Sequence, residues 1–285
     1  MIDTGMSTGM GTGTGTIKPK ADTGSFEPKK DTGSFLHTST AADIPIGVLR
    51  PPSGGLFPVR TEASYRRRAW DPAVYALAVV AEFGASGWQA CTIPPPPSDP
   101  AAIAAEIRTL VKKAEGRQEM AQQIKGQADG ASLWWADLLT MTPQSHPATW
   151  DLMMIANAAG HMAVMHYKLM FNRARPSQVY PALMPPMMVP GHPSYPSGHA
   201  AESCMVAECL KLAIPALAGS AGQIGPLDLL ARLIADNREI AGFHYPSDTE
   251  AGFGLGVQLV EALKKGPLFN EVVEAAAAEW GDVAG

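Results

Sequence analysis

No stretch of this 285-residue chain reaches the roughly 18 uncharged apolar residues that a membrane-spanning helix needs. A multi-span membrane protein is thereby excluded, although 46% of the residues are hydrophobic. Cysteine is scarce. The three present, Cys91, Cys204 and Cys209, form no paired spacing, and Cys204 and Cys209 project from diverging faces of one expected helix. They are expected to act as small core hydrophobes in a reducing compartment rather than as a disulfide framework. The start, Met1-Ile2-Asp3-Thr4-Gly5, lacks a basic stretch followed by an apolar run, so a cytoplasmic location is expected. An excess of positive charge is missing too. The formal charge of −5 argues against a nucleic-acid partner or an anionic membrane surface. Alternating apolar and polar residues are absent as well, which leaves little from which to build a sheet.

What remains is helical. The length suits one substantial core. Residues 1–55 read as a low-complexity arm, with Gly-Thr alternation from Gly11 to Thr16. In it Asp22-Thr23-Gly24-Ser25-Phe26 recurs as Asp31-Thr32-Gly33-Ser34-Phe35. Such composition gives no core of its own. The arm is expected to wrap a neighbouring subunit through Phe26 and Phe35, making a homo-oligomer. Residues 56–285 form the expected α-helical catalytic domain. Asp71-Pro72 and Asp99-Pro100 each place an N-cap before a proline at the first helical position. These open helices to about 83 and about 128. A short helix holds Trp134 and Trp135, and a long one runs from Pro147 through Lys168 to Arg175. A proline- and methionine-rich loop of about twenty residues, of the kind that usually forms part of a site, leads to Pro196. Helices are then expected over 198–213 and 226–241. Another starts at a Ser247-Asp248-Thr249-Glu250 capping box, and a last one covers about 271–280. The expected fold class is all-α, a helical bundle with an extended N-terminal arm.

Three blocks carry the chemistry. Pro196-Ser197-Gly198-His199 reads as an N-cap followed by a helix start, where unpaired amides and the helix dipole favour an anion. Lys168 and Arg175, seven apart, are expected on one helix face until Pro176 ends it. Downstream, Arg238 adds a third cation and His244 a second histidine, with Asp248 four residues later. Singly these blocks could be a turn, a solvated basic face and a helix-end His–Asp pair. Together they make a pocket for a tetrahedral oxyanion.

The order and spacing resemble the superfamily that joins type 2 phosphatidic acid phosphatases, bacterial acid phosphatases and vanadium-dependent haloperoxidases. Its pattern is Lys, six residues, Arg-Pro; then Pro-Ser-Gly-His; then Arg, five residues, His, three residues, Asp. Lys168, Arg175, Pro176, Pro196, Ser197, Gly198, His199, Arg238, His244 and Asp248 all match it. One companion departs: Asn237 stands where Ser is usual. The match spans about 165–250. The superfamily's lipid-phosphate phosphatases are multi-span membrane proteins, which this chain is not.

The resemblance implies roles residue by residue. Lys168, Arg175, Arg238, Ser197 and Gly198 would hold the oxygens of an oxyanion, vanadate or phosphate. His244 would face its central atom, with Asp248 fixing the tautomer, and His199 would act as acid or base. With a phosphate ester, His244 would be the nucleophile and His199 would protonate the leaving alcohol. With vanadate, His244 would be the single protein ligand to the metal, and hydrogen peroxide would oxidise halide to hypohalous acid. Five-coordinate vanadate resembles the transition state of phosphoryl transfer, so the motif fits both. His192, seven residues before His199, occupies a position that is aromatic or His in the haloperoxidases and looks like the bromoperoxidase version. The expected function is therefore halide oxidation, bromide first. The alternatives are a soluble acid phosphatase, or an oxyanion-binding protein without turnover. His161 and His166 are read as packing residues rather than metal ligands.

Overall fold

Proline opens seven of the ten α-helices in the computed structural model, which describes residues 65, 67–220 and 223–281. Its fixed φ suits the first helical turn, where a missing N–H costs nothing. The helices are α1 (Pro72–Phe83), α2 (Pro100–Lys113), α3 (Arg117–Gly130), α4 (Ser132–Leu139) and α5 (Pro147–Phe171). There follow α6 (Pro176–Val179), α7 (Gly198–Ala213), α8 (Pro226–Ile240), α9 (Pro246–Leu263) and α10 (Pro267–Glu279). No strand occurs among the described residues, so the all-α class holds. The arm over 1–55, with Phe26 and Phe35, lies outside the described residues. No described helix is long and apolar enough to cross a membrane.

The bundle is centred on α7, which packs against α5, α8, α9 and α10. Its buried residues, among them Ala200, Cys204, Val206 and Leu210, lie all round the helix. A helix with apolar residues on every face belongs inside, and a buried valine or leucine such as Val206 or Leu210 contributes about 1.5–3 kcal/mol. The second central helix, α5, packs its length against α1, α7 and α10. Helices α2 and α3 lie outside this core against α8. All three cysteines are free, and burial pushes the Cys204 thiol up to about 12.

The caps at Asp71 and Asp99 form as expected, each accepting from first-turn amides. Several boundaries differ from the sequence expectation: α10, expected from about 271, already starts at Pro267, and the loop expected after Pro176 opens with α6. The helix expected from 99 to about 128 is two, separated by a 3₁₀ turn at Ala114–Gly116. Tertiary bonds on either side of the turn override local propensity. Lys113 Nζ reaches Glu239 at 2.8 Å, and Arg117 donates to the Ile240, Ala241, Leu183 and Met184 carbonyls. Helix α5 stops at Phe171, because Asn172 adopts φ 46°. Arg175 is consequently extended (φ −68°, ψ 152°), as the residue before a proline tends to be, and shares no helix with Lys168. Finally α9 starts two residues earlier than the Ser247 cap implies, at Pro246 with Tyr245 as its N-cap. Its first-turn Asp248 accepts from the Tyr245 amide at 3.0 Å instead.

Candidate active site

The site gathers where α5 ends and α7 and α9 begin. Ser197 caps α7, its hydroxyl accepting from the Ala200 amide at 3.4 Å. The Ser197 amide in turn donates to the Asp248 carbonyl at 2.9 Å, stitching the starts of α7 and α9 together. Two glycines on α9 permit this approach. A Cβ on Gly252 would stand 2.6 Å from the Ser197 carbonyl oxygen, and one on Gly256 would stand 2.8 Å from that of Ala201.

All nine residues expected at the site lie in this one region. Lys168 is 1% exposed, and its ammonium donates to the carbonyls of Pro193, Ser194 and Pro196 at 2.8, 3.0 and 2.7 Å. It therefore shapes the loop entering α7. Among the described residues no carboxylate forms an ion pair with it, and burial together with Arg175 pulls its pKa well below the usual lysine range. A buried cation hydrogen-bonded to carbonyls, beside a second cation, is the environment an anion would relieve.

Arg175, 2% exposed, holds both imidazoles. Its Nε donates to the His192 carbonyl at 2.9 Å and its Nη2 lies 3.0 Å from His192 Nδ1. Its Nη1 donates to the Phe243 carbonyl at 3.0 Å and lies 3.2 Å from His244 Nε2. A guanidinium only donates, so His192 Nδ1 and His244 Nε2 both accept. The His192 proton is then on Nε2 and the His244 proton on Nδ1. The latter faces Asp248 Oδ2 at 3.2 Å.

The pKa of each of the three histidines here is lowered. Burial, then Lys168 and Arg175, lower the His192 pKa to about 3. Burial and the Arg175 and Lys168 charges bring His244 well below its ordinary value. His199 retains partial exposure, yet burial of its ring and the Arg238 and Arg175 charges lower it likewise. Arg238, on α8, donates to the Ile124 carbonyl on α3, and its guanidinium carbon lies 5.9 Å from the centre of the Phe243 ring.

Several participants were not legible in the sequence. Asp248 accepts from Arg173 Nη1 at 2.6 Å, from the Ser194 hydroxyl and from the Tyr245 amide. Arg173 lay inside the Lys168–Arg175 block and Ser194 inside the loop, both without a role. The departure at Asn237 acquires a physical meaning. Its side-chain amide donates to Gln127 and Gln123 at 2.9 and 3.2 Å, which ties α3 to α8 beside Arg238. His161 pairs with Glu202 at 3.2 Å, and His166 meets Trp88 edge-on, consistent with packing roles.

A helix start, buried cations and imidazoles of lowered pKa thus converge in one region of the all-α bundle. Residues 150–266 match the family model described as PAP2 superfamily. The matched segment contains every residue of the three-part motif. No curated protein matches the chain.

Proposed function

We propose that the protein is a vanadium-dependent haloperoxidase that oxidises halide, bromide first, with hydrogen peroxide. The overall conversion takes hydrogen peroxide, bromide and a proton to hypobromous acid and water. The observation that carries this choice is His192, half-buried with its Nδ1 on the same Arg175 guanidinium that meets His244.

The residues fit an oxyanion, as the buried Lys168 without a paired carboxylate indicates. Vanadate would be held through His244 Nε2, with Lys168, Arg175 and Arg238 supplying charge and Ser197 and Gly198 the helix start. When bound, it supplies the Lewis acidity that activates peroxide. The chain's own residues do the rest. Asp248 keeps the His244 proton on Nδ1 and so preserves the Nε2 lone pair. His199, held neutral, can take a proton from incoming peroxide.

The deciding experiment pairs two assays on the purified chain. One is dye-coupled bromination with peroxide and bromide, before and after orthovanadate loading. The other is nitrophenyl-phosphate hydrolysis with and without vanadate. Vanadate-dependent bromination with little hydrolysis is expected. Hydrolysis that vanadate inhibits, with feeble bromination, would assign His244 as the nucleophile of a phosphatase. His192→Ala should lower bromination by about 10-fold or more, with vanadate affinity little changed. An unchanged bromide rate removes His192 as the discriminator.

A further inference from the structure

Helix α2 lies outside the segment that matches the superfamily, yet one of its side chains reaches the catalytic core. Glu106 Oε2 accepts from Arg173 Nη2 at 2.7 Å, while its Oε1 accepts from the Ser247 amide in the first turn of α9 at 2.9 Å. Arg173 Nη1 donates to Asp248 Oδ1 at 2.6 Å and to the Ser247 hydroxyl at 2.8 Å. Its guanidinium carbon stands 3.7 Å from the centre of the Tyr245 ring. The guanidinium is thus clamped at two edges by carboxylates and on one face by an aromatic ring. The side chains of Arg173, Glu106 and Asp248 are 8%, 14% and 0% exposed.

We propose that Glu106 and Arg173 are positioning residues that lock the Asp248 carboxylate, and through it the Nδ1–H form of His244. Buried ion pairs contribute little net stability, because desolvation offsets their attraction, so orientation is the better account of this one. The terminal torsion of an aspartate is broad, and the His244 contact alone would leave the carboxylate free to turn. Arg173 takes Oδ1, which leaves Oδ2 for His244 Nδ1, the Tyr245 amide and the Ser194 hydroxyl. Glu106 fixes the other arm of Arg173 and ties it to the backbone of the residue before Asp248. The arrangement spans α2, the segment after α5 and the start of α9. The functional consequence rests on His244 being the group that meets the oxyanion; the tautomer lock itself does not.

The test uses the full chain with ¹⁵N-labelled histidine, and two-bond ¹H–¹⁵N spectra to read which ring nitrogen of His244 carries the proton. Arg173→Gln and Glu106→Gln are compared with the wild-type chain. Arg117→Gln is the comparator, since it removes bonds to four carbonyls and touches no site side chain. A single Nδ1–H form is expected in the wild-type and Arg117 chains, and a mixture of tautomers in the Arg173 and Glu106 variants. Turnover of the substrate that the wild-type chain uses should fall about 10- to 100-fold in those two, with KM changing far less. Arg173→Lys should restore part of it. An unchanged Nδ1–H form in both variants, or the same tautomer loss in Arg117→Gln, overturns the proposal. If Arg173→Gln does not fold, Glu106→Gln and Glu106→Ala decide. A wild-type chain inactive on both bromide and phosphate ester would sink the functional reading, and the tautomer comparison would still decide this one.

Discussion

Two demands meet on the ring of His244: its Nδ1 must give a proton to Asp248 and its Nε2 must keep a lone pair. Replacing it with alanine removes both. His244→Ala should abolish turnover and weaken vanadate binding by about 100-fold or more, read by isothermal titration. Retained tight binding would overturn its role as the ligand. His161 offers a separate test at the same scale. The Glu202 carboxylate 3.2 Å from its Nδ1 raises the His161 pKa, its hydrogen bond outweighing the opposing effect of burial. A raised folded-state pKa adds stability that is fully present below the unfolded value and fades as pH rises through the folded one. Glu202→Gln should therefore cost about 0.5–1 kcal/mol near pH 6 and less near pH 8.5, followed by thermal melts. A loss that grows with pH would contradict the pairing.

Among the elements, the contact between α7 and α9 is the most sensitive. Neither the Ser197 nor the Ala201 carbonyl can withdraw from an added methyl without moving a helix start. Gly252→Ala should destabilise the fold by about 1–3 kcal/mol and also depress turnover, because it displaces Ser197. Gly254→Ala, which meets nothing within 4 Å, is the matched control. The limits of sequence reasoning show at this scale. The start of α7 was legible because Ser197 and Gly198 carry local signals for a cap and a close approach. The end of α5 was not, because Asn172 leaves the helix through a left-handed conformation that no apolar periodicity marks. The break near Gly116 escaped for a related reason. Its flanking residues favour helix, and only long-range bonds from Lys113 and Arg117 stop it. The nine residues expected at the site could be named from sequence because they fall along one stretch, 168–248. Glu106 was missed because 67 residues separate it from Arg173, with no pattern linking the two.

For the molecule as a whole, the segment over 1–55 is the open question of assembly. Light scattering coupled to size exclusion should give a multiple of 30.1 kDa for the full chain and a smaller assembly once those residues are removed. An unchanged subunit number would dismiss the arm as the source of association. Among the described residues, those expected at the site and their supports are distributed unevenly along the chain. The superfamily segment brings the imidazoles and cations, while α2 brings Glu106 and α3 brings the Ile124 carbonyl and the amides facing Asn237. A chain cut back to residues 150–266 would keep every signature residue and lose the scaffold that aims them. The signature is therefore not a portable cassette. Grafting it into another helical host would transfer the reagents without their alignment, unless helices equivalent to α2 and α3 travelled with it.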